Sequence, residues 1–310
     1  MTTTPAPDPP AHDQHPLAGT DGDPMTTTRG VNDRVGDRGN EGLDVLGPDE
    51  LRLLREFDAL ILSWADEAGA VERRYPFLLR PDFLDGVGHF QEFPHLSLPV
   101  SAADPERLLK SLRMAERPLG AVPAEALDDA RYVLPSAACH SIYQSLAGQA
   151  VPGEGAVHTT LATCFRIEER YGGPRRPLAL SMREIVHVGT AEGAKEHVAR
   201  SKERVLELAA RLGLEMRTEV ATDPFFDRTS SRAIMQLLFP DKEEFVVGGL
   251  VVGSVDHQGD LFGKRCGIRL PDGTAARTGC VAFHLERWVH VLTARFGDAS
   301  AAADAILELR

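Results

Sequence analysis

The stretch TCFRIEERYGGPRRPLALSMREIVHVG, Thr163 to Gly189, decides how this chain folds. His158 to Ile167 is dense in threonine, phenylalanine and isoleucine and reads as a strand. Arg170 to Leu178 carries the glycines and prolines of a loop, and Ser181 to Val188 reads as the strand that returns. Side chains two apart on a strand share a face, so Arg166 and Glu168 project together. Such a pair is what a solvated ion pair looks like. With a second arginine, Arg287, such a pair can also hold a nucleotide triphosphate.

Outward from this hairpin, further strands are expected at Tyr132 to Leu134, Glu244 to Val255 and Gly267 to Leu270. A helix opens at Gly47 with Pro48, Asp49 and Glu50 in its first turn, and Leu51, Leu54, Phe57, Ile61 and Trp64 then recur at helical steps. A second runs from Glu192 to Leu212, with Val198, Val205, Leu206, Ala209 and Leu212 as its stripe and Gly213 as its stop. The last long helix starts near Val281 and carries Arg287. Strands that mostly follow one another, with helices before and after, point to an α+β fold, an antiparallel sheet flanked by helices. No GxxxxGK[ST] and no strand-borne GxGxxG occurs, which removes P-loop and dinucleotide-binding readings.

With 310 residues, 43% of them hydrophobic, the chain can bury one large core or two modest ones. Residues 1–46 are rich in Pro, Gly, Asp and Thr and repeat MTTT at Met1 and Met25, the latter a second candidate start of translation. They are expected to form a disordered tail, with residues 47–310 as the folded domain. No apolar run has the length of a signal core or a membrane span. Four cysteines without a CxxC do not make a disulfide framework, and a cytoplasmic location is expected. The net charge of −12, from 46 acidic against 34 basic residues, counts against a broad polyanion-binding face.

Two thiolates and a carboxylate, Cys139, Glu184 and Cys280, can hold Zn²⁺ with a fourth position open, although dispersed cysteines are also common as small core residues. Together with Arg166, Glu168 and Arg287 they resemble the catalytic core of the class II aminoacyl-tRNA synthetases. More narrowly, they resemble the zinc-dependent seryl type and its truncated relatives, the amino acid:[carrier protein] ligases. TCFRIEE with LSMREIVHVG is similar to the second class II motif and GCVAFHLERWVHVL to the third. GSVDHQGDLFG resembles the segment lining the amino acid pocket, VLPSAACHSIYQSLAG the stretch presenting the first zinc ligand, and YPFLLRPDFLDGVGHFQEFPHL the region of the first motif, a dimer element. The match runs from about Glu72 to Phe296.

The resemblance implies a class II synthetase-like sheet and a homodimer. It implies ATP held with Mg²⁺, with Arg166 on the α-phosphate, Glu168 on the adenine amine and Arg287 on the γ-phosphate. It further implies Zn²⁺ on Cys139, Glu184 and Cys280, and an amino acid pocket that includes Glu184, Ser254, Asp256 and His257. Three positions depart from the family pattern: Asp256 stands where asparagine is usual, His284 where glycine is, and Ile185 where an aromatic ring stacks on adenine. Cys164 and Cys266 match no role and are expected in the core.

The implied activity is activation of a small amino acid as its adenylate, then transfer to the phosphopantetheine thiol of a holo carrier protein. A seryl-tRNA synthetase carries an N-terminal tRNA-binding domain, whereas the residues ahead of Glu72 offer a tail and one or two helices, so tRNA is not the expected acceptor. A non-catalytic synthetase paralogue and a true aminoacyl-tRNA synthetase stay open as alternatives. An unrelated zinc hydrolase is disfavoured, since there is no HExxH.

Overall fold

The computed structural model describes residues 42–115, 119–168 and 170–310, which belong to one compact unit. Of the tail expected over residues 1–46, residues 1–41 lie outside the described residues, as does Glu169. Helix α1 (Pro48–Glu67) begins where proline and two acidic residues favour a first turn, and the Glu50 carboxylate accepts from the Gly47 amide at 2.7 Å. Leu53, Leu54, Phe57, Leu60, Ile61 and Ala65 form its buried stripe. Then follow β1 (Val71–Glu72), the short helices α2 (Pro81–Gly86) and α3 (His89–Glu92), β2 (Leu98–Val100), α4 (Pro105–Met114), β3 (Tyr132–Leu134) and α5 (Cys139–Leu146).

The central hairpin is β4 (Gly155–Phe165) and β5 (Ala179–Gly189), paired antiparallel along all of both strands. Helix α6 (Ala191–Arg211) follows, capped by the Thr190 hydroxyl and ended at Gly213, whose φ of 65° suits the left-handed stop. The rest is β6 (Met216–Ala221), α7 (Ser231–Leu238), β7 (Lys242–Val247), β8 (Leu250–Gly259), α8 (Leu261–Cys266), β9 (Arg277–His284), α9 (Leu285–Phe296) and α10 (Ala299–Leu307).

Seven strands make one sheet in the order β1-β4-β5-β9-β8-β7-β6, antiparallel except for the short β1 beside β4, and β2 pairs with β3 separately. Strand alternation divides the sheet into two faces. Ile185, Val255, Val281 and Phe283 point toward α1, α6, α9 and α10, where Phe57 stacks on Trp288 at 4.6 Å between ring centroids. Burying each such large side chain stabilises by about 1.5–3 kcal/mol. Val186, Val188 and Cys280 point the other way, toward α5 and α8. On the helix side, Arg183 is 2% exposed and forks onto Asp58 of α1 at 2.7 and 2.8 Å while also reaching Glu72 of β1 at 2.7 Å. Among the described residues no helix is long and apolar enough to cross a membrane.

Three expected elements differ from the observed ones. The strand expected over Glu244 to Val255 is two strands, β7 and β8, because Gly248 and Gly249 both take positive φ (55° and 76°) and close a tight hairpin. Gly267 to Leu270 follows α8 with only isolated bridges. The last helix starts at Leu285 rather than near Val281, because Val281 to His284 pair with β5 on one side and, up to Phe283, with β8 on the other. Glu286, in the first turn of α9, then accepts from the Ser181 amide at 2.8 and 2.9 Å and ties the helix to β5.

Candidate active site

Strand register lays out the floor of a cavity of about 490 Å³ on the face opposite α1 and α6. Glu244, Ser254, Ala282 and Glu184 stand opposite one another in one row across β7, β8, β9 and β5. Lys242, Asp256, Cys280 and Val186 make the next row. Of the candidate residues, Arg166, Glu168, Arg287, Cys139, Glu184, Cys280, Ser254 and Asp256 all line this cavity. His257 does not. One step along β8 turns it to the other face, where its amide donates to the Asp241 carbonyl at 2.8 Å and its Nε2 is buried without a partner.

At one end stand the two arginines. Arg166 lies one residue past β4, yet its amide still donates to the Leu178 carbonyl at 2.8 Å, so the hairpin fixes where its side chain starts. That side chain has no hydrogen bond or ion pair among the described residues. Arg287, in the first turn of α9, spends one Nη1 on the Val251 carbonyl at 2.9 Å and on His284 Nδ1 at 3.3 Å, while its Nε is buried with no partner. Burial and the nearby Arg166 charge lower the Arg287 pKa, against the pull of Glu168. Burial, Arg287 and Arg166 likewise hold His284 neutral, and burial with Arg166 pushes the cavity histidine His89 down to about 4. Two neighbouring guanidiniums with unused donors, only partly offset by Glu168 and Glu244, suit a polyanion such as a triphosphate.

At the other end Glu184 Oε1 accepts from the Ala138 and Cys139 amides, at 2.8 and 3.2 Å, and so holds the start of α5 over β5. This puts Cys139 beside Cys280 and Glu184. The hydrogen bond to Cys280, burial and Glu184 push the Cys139 thiol well up. Burial also raises Cys280 and Glu184, in spite of the hydrogen bonds each shares with Cys139. Two thiols and a carboxyl thus sit buried together with their protonated forms favoured, and these are the donor types of a zinc site. As they stand, they are hydrogen-bonded to one another, and no group of three or more His, Cys, Asp or Glu among the described residues is disposed to hold a metal ion. The donor types are those zinc prefers, whereas their hydrogen-bonded arrangement is not a ligating one.

Several cavity residues were not singled out from the sequence. Gln258 accepts from the Tyr143 hydroxyl at 2.7 Å and donates to Cys280 Sγ at 3.5 Å, and the two-residue step from Ser254 and Asp256 would have found it. Lys242 pairs with Asp223 at 2.9 Å; burial disfavours its charge, but Asp223 and Asp256 outweigh that and raise its pKa. Asp256 is raised well above the usual range by burial and by Asp223. Asp223, His89 and His140 come from loops and short helices, which carry no periodic signal.

Ile185 is not in the cavity. It faces α1 and α6 in the core, so it neither supplies nor replaces a stacking partner for a base. Cys164 is fully buried and Cys266 half-buried, outside the ligand set.

No protein-family model matches the chain. The amino acid–[acyl-carrier-protein] ligase 2 of Bradyrhizobium diazoefficiens is 30% identical over 245 residues, which span 74% of this chain and 71% of that protein. The chain belongs to the amino acid–[acyl-carrier-protein] ligase family. Ligase 1 of the same organism is 29% identical over 245 residues, 76% of this chain and 74% of that protein. The ligase fold is shared with the M. kandleri SerRS crystallised with A. aeolicus tRNASec, at a TM-score of 0.71 and 21% identity. That match covers 86% of this chain and 56% of the SerRS chain, so the ligase spans little more than half of it. The fold class is therefore that of the class II synthetases, as the β4–β5 hairpin motif and the β9–α9 motif imply.

Proposed function

We propose that the chain activates an amino acid with ATP and hands it to the phosphopantetheine thiol of a carrier protein. The observation that carries this reading is a single cavity with Arg166 and Arg287, both carrying unused donors, at one end and Cys139, Glu184 and Cys280 at the other. In the first step a carboxylate oxygen of the amino acid attacks the α-phosphorus and pyrophosphate leaves. Arg166 meets the charge that builds on the α-phosphate, Arg287 uses its free Nε and Nη2 on the γ-phosphate, and Glu168 accepts from the adenine amine. In the second step the pantetheine thiolate attacks the carbonyl carbon and AMP leaves.

Zn²⁺ would be held by Cys139, Glu184 and Cys280, and when bound it would supply a Lewis acid that keeps an α-amino group neutral and in place. Mg²⁺ fits the triphosphate end as a charge partner for the phosphates. The order of the floor residues then sets the order of the substrates: amino group by Cys280, carboxylate toward Arg166, nucleotide beyond. The region of the first motif suits a homodimer, since β1 is the sheet's last strand and Val71, Phe77 and Leu78 beside it are exposed. The four cysteines, none in a disulfide, suit the reducing cytoplasm.

The test offers the protein labelled amino acids, ATP, total tRNA and holo carrier proteins. Hydroxylamine-labile label on a small carrier is the expected result. Label on tRNA alone, lost on ribonuclease treatment, would return the chain to the aminoacyl-tRNA synthetases, a reading that the charge of −12 disfavours.

A further inference from the structure

The amino acid end of the cavity has a carboxyl group, Asp256, that feels the Lys242 charge but makes no direct ion pair or hydrogen bond among the described residues. Asp256 stands opposite Cys280 on β9 and opposite Lys242 on β7. Lys242 is the cation nearest to it by register, but the ammonium is taken by Asp223 at 2.9 Å, with Glu244 at 3.9 Å. The Asp256 carboxyl itself makes no hydrogen bond or ion pair among the described residues, yet it lines the cavity. Three carboxyl groups, Asp223, Glu244 and Asp256, therefore share one ammonium. An ionised carboxyl only accepts, and burying it unpaired is unfavourable. An all-carbon side chain packed there would leave it so, whereas an arriving ammonium would add a direct counter-charge to the Lys242 attraction, which burial and Asp223 outweigh.

We propose that the amino acid taken by this cavity carries a second amino group at the end of a short side chain, which pairs with Asp256. This rests on the reading of the cavity as an amino acid-activating site. Register sets the length. Residues facing each other across antiparallel strands keep their Cβ atoms about 4.5–5.5 Å apart. An α-amino group beside Cys280 is thus one interstrand step from Asp256, a gap that one or two methylene groups bridge. The fit is to 2,3-diaminopropionate or 2,4-diaminobutyrate; lysine, with its four methylenes, overshoots.

The test is ATP–pyrophosphate exchange by the full chain with glycine, alanine, lysine and the two short diamino acids, for the parent and for Asp256→Asn. A charged hydrogen bond supports a preference of roughly tenfold or more in kcat/KM for the short diamino acids over alanine, carried mostly by KM. Asp256→Asn, nearly the same in shape, should bring that ratio to about one with an unchanged melting temperature. Glycine or alanine used as well as the diamino acids, or a ratio untouched by Asp256→Asn, would overturn the proposal and leave amino acid activation standing. Absence of exchange with every amino acid would remove the activation reading and the proposal with it.

Discussion

Replacing Arg166 with methionine should separate function from fold. The Arg166 side chain has no partner among the described residues, and its charge disfavours protonation of Arg287, His89, His140 and His284. The empty cavity therefore carries a like-charge repulsion that the substitution removes. The unfolding free energy should stay level or rise by up to about 1 kcal/mol, the scale of an interaction between partly solvated charges. That is a rise of at most about 2–4 °C in melting temperature for a domain of this size. In the proposed reaction the same charge would meet the α-phosphate, and the loss of one such preorganised donor costs about 2.7–4 kcal/mol, a factor of roughly 10² to 10³ in rate. ATP–pyrophosphate exchange and a thermal melt on the same preparation read both quantities. A loss of exchange under about tenfold, or a melting temperature lowered by more than about 4 °C, would show Arg166 to be a structural partner and refute the reasoning.

Cys280→Ser should lower bound zinc, read by elemental analysis, to a small fraction of the parent's, since a thiolate leaves a three-residue set; full occupancy would remove the metal assignment. Arg183→Leu strands Asp58 without its partner, and the expected loss is about 3–5 kcal/mol by urea unfolding. Glu72→Gln, where the carboxylate is 47% exposed, should cost under about 1 kcal/mol, and equal losses would contradict the burial argument. Burial lowers His89 and His197 to about 4 and His140 to about 3. Because the denatured chain, near 6.5, binds these protons first, stability should be level above about pH 6.5 and fall as the pH drops toward 4. A urea midpoint that did not move across that window would show these rings to be solvated.

The parts of the fold that the residues announce are those with an unbroken period. β4, β5, α1 and α6 lie within a few residues of where alternation or helical spacing puts them, but β4 ends at Phe165 rather than Ile167, so Arg166 and Glu168 reach the cavity from the segment after the strand and not by strand alternation. Periodicity fails where two signals overlap. Val281 to His284 are as apolar as the helix that follows, and only pairing with neighbours on both sides makes them strand. The same rule of alternation excludes His257 and Ile185 from the site, though each lies next to a residue that belongs there. Asp223 and the cavity histidines have no local pattern at all, since loops and short helices bring them in.

Glu184 anchors the first turn of α5 as well as lining the cavity, whereas the Arg166 side chain anchors nothing among the described residues. Drift acts on the two residues unequally. A descendant of this gene that had stopped making adenylates would still need Glu184 to fold, and would shed Arg166 at no cost to folding. Among divergent copies, then, the carboxylate is a poor marker of an active enzyme and the arginine a good one.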